Sequence, residues 1–114
     1  MHEMPVVLDV VTQMDEFAES NNIPEIKEVV VEIGEASGVV PFFFQSCWDP
    51  AVARSKYLLN ATLSIEEIPT VCKCRDCKEE FHPKSHPPVC PKCNGEAWDI
   101  IAGREIQIKE ILVE

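Results

Sequence analysis

Cys74-Arg75-Asp76-Cys77 and Cys90-Pro91-Lys92-Cys93 give the chain four thiols in two Cys-x-x-Cys pairs. A two-residue spacer lets the backbone curl into a knuckle that turns both sulfurs toward one centre. Two knuckles then offer four thiolates to a tetrahedral ion, of which zinc is the usual occupant. Asn94-Gly95, a turn-forming pair, follows the second knuckle. Between the pairs, Lys78 to Val89 contains Pro83, Pro87 and Pro88, and its large apolar residues are Phe81 and Val89 alone. Such a stretch builds no core of its own, so the metal has to supply its fold; structural zinc contributes about 10–16 kcal/mol in small peptides. Disulfides or unpaired cysteines are the alternatives to a metal site, and iron in the same four-sulfur site would make an electron carrier. His82 and His86 lie between the pairs and read as loop histidines, since four cysteines suffice. Cys72 reads as a bystander, because Cys-x-Cys does not replace the knuckle spacing of Cys74 and Cys77.

A second set of donors stands at the opposite end, in Met1-His2-Glu3. A free α-amine on Met1, the His2 backbone nitrogen and the His2 imidazole can close adjacent chelate rings around one ion. A near-planar array of nitrogens favours Ni²⁺ or Cu²⁺ over Zn²⁺. Binding must displace the amide proton, so affinity should rise with pH. Glu3 stands close enough to orient or supplement the site. The alternative is an ordinary exposed terminal histidine.

Composition bounds the partners. The formal net charge is −10. Within 72–93, Lys73, Arg75, Lys78, Lys84 and Lys92 face Asp76, Glu79 and Glu80, while the remainder holds five basic and seventeen acidic residues. Nucleic-acid binding needs a basic footprint, and four thiolates on a divalent zinc cancel the small local excess, so no nucleic acid is expected. There is no run of eighteen apolar residues and no basic-then-apolar leader, so neither a membrane span nor a secretory signal is expected. Six cysteines, four of them in metal spacing, suit a reducing cytoplasm. No Ser-His-Asp order, phosphate-cradling glycine loop or paired-carboxylate signature is present, so the sequence predicts no enzyme.

The elements that must position these donors follow from periodicity. Apolar residues at 7, 10, 11, 14, 17 and 18 mark one face of a helix from about Pro5 to Ser20. Lys27 to Ile33 predicts a strand, with Val29, Val31 and Ile33 on one face. A second helix is expected from Val40 to about Trp48, with Phe43, Phe44, Cys47 and Trp48 as its buried face. A further piece, Pro50 to Leu58, would continue it after a kink. Ala61 to Ile68 and Arg104 to Val113 alternate as strands. The last strand must pair back with the sheet formed before residue 70. The expected fold is therefore α+β: two helices packed on a small three-stranded sheet, with an inserted zinc-ribbon-like lobe. Residues 1–70 with 100–114 form the α+β domain, and 71–99 form the zinc-binding lobe.

A chain of this length that opens Met1-His2-Glu3, carries Cys74-x2-Cys77 and Cys90-x2-Cys93, and closes on a terminal strand resembles the HypA family of hydrogenase nickel-incorporation proteins. The resemblance covers the whole chain. It implies that His2 is the nickel ligand, with the Met1 α-amine beside it and Glu3 supporting nickel binding and docking, and that the four cysteines hold structural Zn²⁺. It further implies a nickel metallochaperone that passes Ni²⁺ to the [NiFe]-hydrogenase large-subunit precursor together with a HypB-like maturation GTPase, and in some bacteria serves urease maturation. A zinc-ribbon protein–protein adaptor without a nickel site is the alternative.

Overall fold

Ile26–Gly34 (β1) is the middle strand of the larger of two sheets in the computed structural model, which describes residues 3–83 and 88–113. Met1, His2 and His86 lie outside the described residues. The β-branched run makes Val29, Val31 and Ile33 fully buried, as the alternation requires. On one side β1 pairs in parallel with β2 (Thr62–Ile68), Val29 opposite Leu63 and Val31 opposite Ile65. On the other it pairs antiparallel with the final strand, Ile106–Val113, Val31 opposite Ile108.

Two helices cover the apolar face. α1 (Glu3–Ser20) buries Val7, Val10, Val11, Met14 and Ala18. Phe17, expected on the same face, stays exposed. α2 (Pro41–Val52) buries Phe44 and Trp48, and the Trp48 indole N–H donates to the Ala61 carbonyl across 3.1 Å. That bond satisfies the indole N–H deep in the core.

The second helix departs from expectation in two ways. α2 runs through Pro50 to Val52 as one helix, and Pro50 to Leu58 adds no further helical piece. Pro50 sits in the last turn, so its missing N–H costs one bond, to the carbonyl of exposed Ser46, which water can fill. Beyond it the chain turns: Ser55 N–H donates to Val52 O, and Leu58 N–H to Ser55 Oγ. This turn delivers fully buried Leu58 to the core and sets the Tyr57 carbonyl to accept from Ile26 N–H at 3.0 Å. Phe43 is 52% exposed, and only half of the expected buried face, Phe44 and Trp48, is fully enclosed. With three consecutive phenylalanines on a helix, one alone can face the core.

The cysteine lobe carries a sheet of its own. β3 (Val71–Cys74) lies between β4 (Glu80–Phe81) and β5 (Trp98–Ala102), all antiparallel, and the final strand already described is β6. Cys72 stands opposite Phe81 and Ile100, and Cys74 opposite Trp98. Cys72, Cys74, Phe81 and Cys90 form a small buried cluster with Cys77, Trp98 and Ile100 against it. The stretch between the pairs thus borrows its apolar cover from residues flanking it.

Both connections between the sheets pass one turn at the end of β1. Gly34 N–H donates to Glu105 O at 2.9 Å, Glu35 N–H to Ile68 O at 2.8 Å, and Ala36 N–H to Gly103 O at 2.7 Å. The approach is close enough to require glycine: a Cβ on Gly34 would lie 2.2 Å from Gly103 O. Gly103 itself has φ +89°, and its Cβ would meet Pro69 O at 2.7 Å. The molecule extends over 54 × 25 × 16 Å with a radius of gyration of 17.6 Å. A compact chain of this length would have about 13 Å, so the two sheets lie end on rather than stacked.

Candidate metal centre

Two near-identical turns shape the cysteine site. In the first, Lys78 N–H donates to Cys74 O at 3.0 Å and Cys74 N–H to Glu79 O at 2.9 Å. In the second, Asn94 N–H donates to Cys90 O at 2.8 Å and Cys90 N–H to Gly95 O at 3.0 Å. Each turn is closed by a left-handed residue just after its second cysteine, Lys78 at φ 67° and Asn94 at φ 59°. Asparagine adopts that region readily. Lysine gives no such signal, so the spacing announces both knuckles but the left-handed closing residue is legible only at the second.

The sulfurs of Cys74, Cys77, Cys90 and Cys93 all lie within 4.8 Å of one another. Cys74 and Cys93 sulfurs are 3.5 Å apart, and those of Cys77 and Cys90 3.6 Å. Zinc–sulfur bonds of about 2.3 Å in a tetrahedron put sulfurs about 3.8 Å apart. The donor set therefore fits zinc in number, type and size, and zinc bound there would cross-link two knuckles that are 16 residues apart in sequence. Gly95 presses against the cluster, where a Cβ would fall 3.1 Å from Cys93 Sγ and 2.8 Å from Asp76 Oδ2.

The thiols are not equivalent. At Cys74, the backbone N–H of Cys77 favours the thiolate most; burial opposes it and the Asp76 N–H adds to it, bringing the thiol to about 7. At Cys93 the Gly95 N–H also favours the thiolate, but hydrogen bonding with Cys74, burial and the remaining sulfurs outweigh it and push the thiol up to about 12. Cys77 is raised despite the Glu79 N–H, through burial and its bond with Cys90. A metal-free cluster would thus place charge on Cys74 before Cys77 or Cys93.

Cys72 stays outside the four-sulfur group. It is fully buried on β3 against Phe81 and Ile100, and burial raises its thiol. On the lobe surface, Arg75 grips Asp99 through two nitrogens, the shorter contact 2.6 Å, and Trp98 Nε1 donates to Pro88 O at 3.1 Å. Trp98 and Asp99 lie beyond the motif, and no pattern in the sequence marked them. His82 turns away from the sulfurs, with Nε2 3.1 Å from Glu35 Oε1.

At the other end, Glu3 opens α1 as a buried carboxylate. Its Oε2 accepts from the Val40 N–H at 3.1 Å, at the start of α2. Among the described residues, the four cysteines are the one group of metal-ligating side chains close enough to hold an ion.

Comparison with known proteins agrees over the full length. The family model for hydrogenase/urease nickel incorporation, metallochaperone, hypA matches residues 1–113. The hydrogenase maturation factor HypA of Geotalea uraniireducens is 37% identical over 114 residues, all of both chains. That of Trichodesmium erythraeum is 38% identical over 114 residues, all of this chain and 96% of the relative. The solution structure of the Ni metallochaperone HypA from Helicobacter pylori superposes with a TM-score of 0.73 at 30% identity, covering 99% of this chain and 97% of that one. A second solution structure of a HypA protein gives 0.77 at 30% identity, covering 100% and 97%.

Proposed function

Because this chain belongs to the HypA family of nickel-incorporation metallochaperones, we propose that it carries Ni²⁺ at its own N-terminus and surrenders it during hydrogenase maturation. The Met1 α-amine and the His2 amide and imidazole nitrogens are the donors, with Glu3 in support. The observation that carries this reading is the family match from residue 1, which takes in Met1-His2-Glu3 as well as both cysteine pairs. A few-donor site at a chain end suits transfer, because its ligands can be exchanged one at a time. A closed four-sulfur cage suits retention, so zinc at Cys74, Cys77, Cys90 and Cys93 is architectural.

The work is done in the cytoplasm without a catalytic cycle. A HypB-like GTPase and the hydrogenase large-subunit precursor are the partners, with urease maturation proteins as a further destination.

Nickel and zinc per chain, measured on wild type and His2→Ala side by side, test the reading. The variant should lose tight nickel binding and keep its zinc. Nickel retained at full stoichiometry would move the site elsewhere. Adding Gly-Ser before Met1 replaces the amine donor with an amide and should weaken Ni²⁺ binding about tenfold or more; unchanged affinity would remove the amine from the ligand set.

A further inference from the structure

The four sulfurs share one centre but not one degree of exposure. Cys74 and Cys90 are fully buried, Cys77 is half-buried, and Cys93 is exposed, as are Pro91, Lys92 and Asn94 around it. The two turns differ at one telling point. Two residues past its second cysteine, the first turn carries Glu79, whose side chain reaches Lys92 at 4.0 Å, whereas the second carries Gly95. Gly95 has no side chain to lay over the sulfur, and a Cβ there would fall 3.1 Å from Cys93 Sγ. The cluster is open on the Cys93 side.

The short sulfur contacts run between the turns rather than within them. Cys74 stands 3.5 Å from Cys93, and Cys77 stands 3.6 Å from Cys90. A disulfide measures about 2.05 Å, so each pair has to close by about 1.5 Å. Bonds formed along these two contacts would cross-link the same two turns that the metal cross-links.

We propose that Cys93 is an oxidation site: a peroxide reacts there first, Cys74 then closes a disulfide across the two turns, and zinc is expelled. The Cys93 thiolate gives an electron pair to one peroxide oxygen, the O–O bond breaks, and the departing hydroxide takes a proton to become water. Cys93 is left as a sulfenic acid. The Cys74 thiolate attacks that sulfur, the S–O bond breaks, and a second hydroxide leaves as water. In sum the peroxide is reduced to two waters, two thiolates are oxidised to one disulfide, and two protons come from solvent. Two sulfurs remain, too few to retain the ion. Cys77 and Cys90 pair in turn when a second peroxide arrives. The proposal rests on zinc being held by the four cysteines.

The test treats zinc-loaded wild type with hydrogen peroxide, follows zinc release with a chromogenic chelator, blocks the remaining thiols with a maleimide and maps disulfides by mass spectrometry. Trypsin cuts after Lys73, Arg75, Lys78, Lys84, Lys92 and Arg104, so each cysteine of the cluster falls in its own peptide. Peptide 74–75 should be joined to 93–104, and 76–78 to 85–92, with about one zinc released per peroxide consumed in the first step. A limiting pulse of maleimide on untreated protein should label Cys93 ahead of Cys74, Cys77 and Cys90. Gly95→Ala keeps all four sulfurs and sets a methyl against Cys93 Sγ, and should slow that labelling about threefold or more. Disulfides within each Cys-x-x-Cys pair, labelling that begins at another cysteine, or zinc retained after oxidation overturn the proposal. Zinc per chain, measured before any treatment, keeps the readings apart. Its absence defeats the zinc site itself, and the disulfide map and labelling order then judge the Cys93 assignment alone.

Discussion

The Val40 backbone N–H donates to the Glu3 carboxylate across 3.1 Å, so the first residue of one helix closes the start of the other. Val40 has no side chain able to cap α2, and Phe43, at the third helical position, cannot reach back as a glutamate would in a capping box. Glu3 supplies that acceptor from α1. Glu3→Ala should therefore cost about 1 kcal/mol of stability, whereas Glu3→Gln, which keeps an accepting oxygen, should cost less. Urea unfolding of the two variants checks this, and equal losses would assign the effect to charge rather than to the bond.

Removing a knuckle sulfur should separate the two sheets energetically. Cys74→Ser or Cys93→Ala is expected to lose zinc and to release Val71–Ala102, because the lobe cluster of Phe81, Trp98 and Ile100 is small. The larger sheet has its own core of seventeen buried residues among those described and should keep its helical circular dichroism. Slow amide exchange at Val29 and Val31 in the variant is the sharper measurement. Its loss along with the zinc would show that the sheets fold as one unit.

Gly34 and Gly103 should tolerate no side chain. In each the nearest atoms are backbone, at 2.2 and 2.7 Å, so nothing flexible can move aside. Gly34→Ala is expected to destabilise by about 1–3 kcal/mol, and Gly103→Ala by a comparable amount with left-handed strain added. Thermal unfolding of both variants, zinc content measured in parallel, checks the prediction.

Zinc uptake should release protons and weaken as pH falls. In the metal-free cluster Cys77 is raised and Cys93 lies at about 12, so both hold protons at neutral pH, while Cys74, at about 7, is part ionised. Ligation needs thiolates. Affinity should therefore drop as pH decreases through 7 and below, since Cys74 then becomes a further proton to displace. Calorimetry in buffers of different ionisation enthalpy counts the protons, and about two or more per zinc are expected at neutral pH.

The sequence disclosed what periodicity and spacing can encode. Val29, Val31 and Ile33 alternate, and they line the core; the two cysteine pairs have knuckle spacing, and their sulfurs meet. The lobe sheet was hidden because β4 is two residues long and β3 four, too short for a pattern. α2 runs on through Pro50 against the expected break, because a proline in the last turn of a helix removes only one bond. Glu35 gave no signal at all. It is a lone acid in a turn, and its partners stand 35 and 47 residues away.

The strand order carries a consequence for the making of the protein. β1 is complete only when β6, the last described strand in chain order, arrives beside it. Until then Ile26–Gly34 offers an open edge to whatever strand it meets. Pairing of β3 with β5 brings residue 102 back beside 71, so with β2 already on β1 a lobe closed on its metal shortens the loop from Ile68 to Ile106 from about 37 residues to about seven. Loop closure then becomes easier by about 1.5 kcal/mol. A lobe closed on zinc would thus bring β6 to the open edge of β1 with less loop left to order.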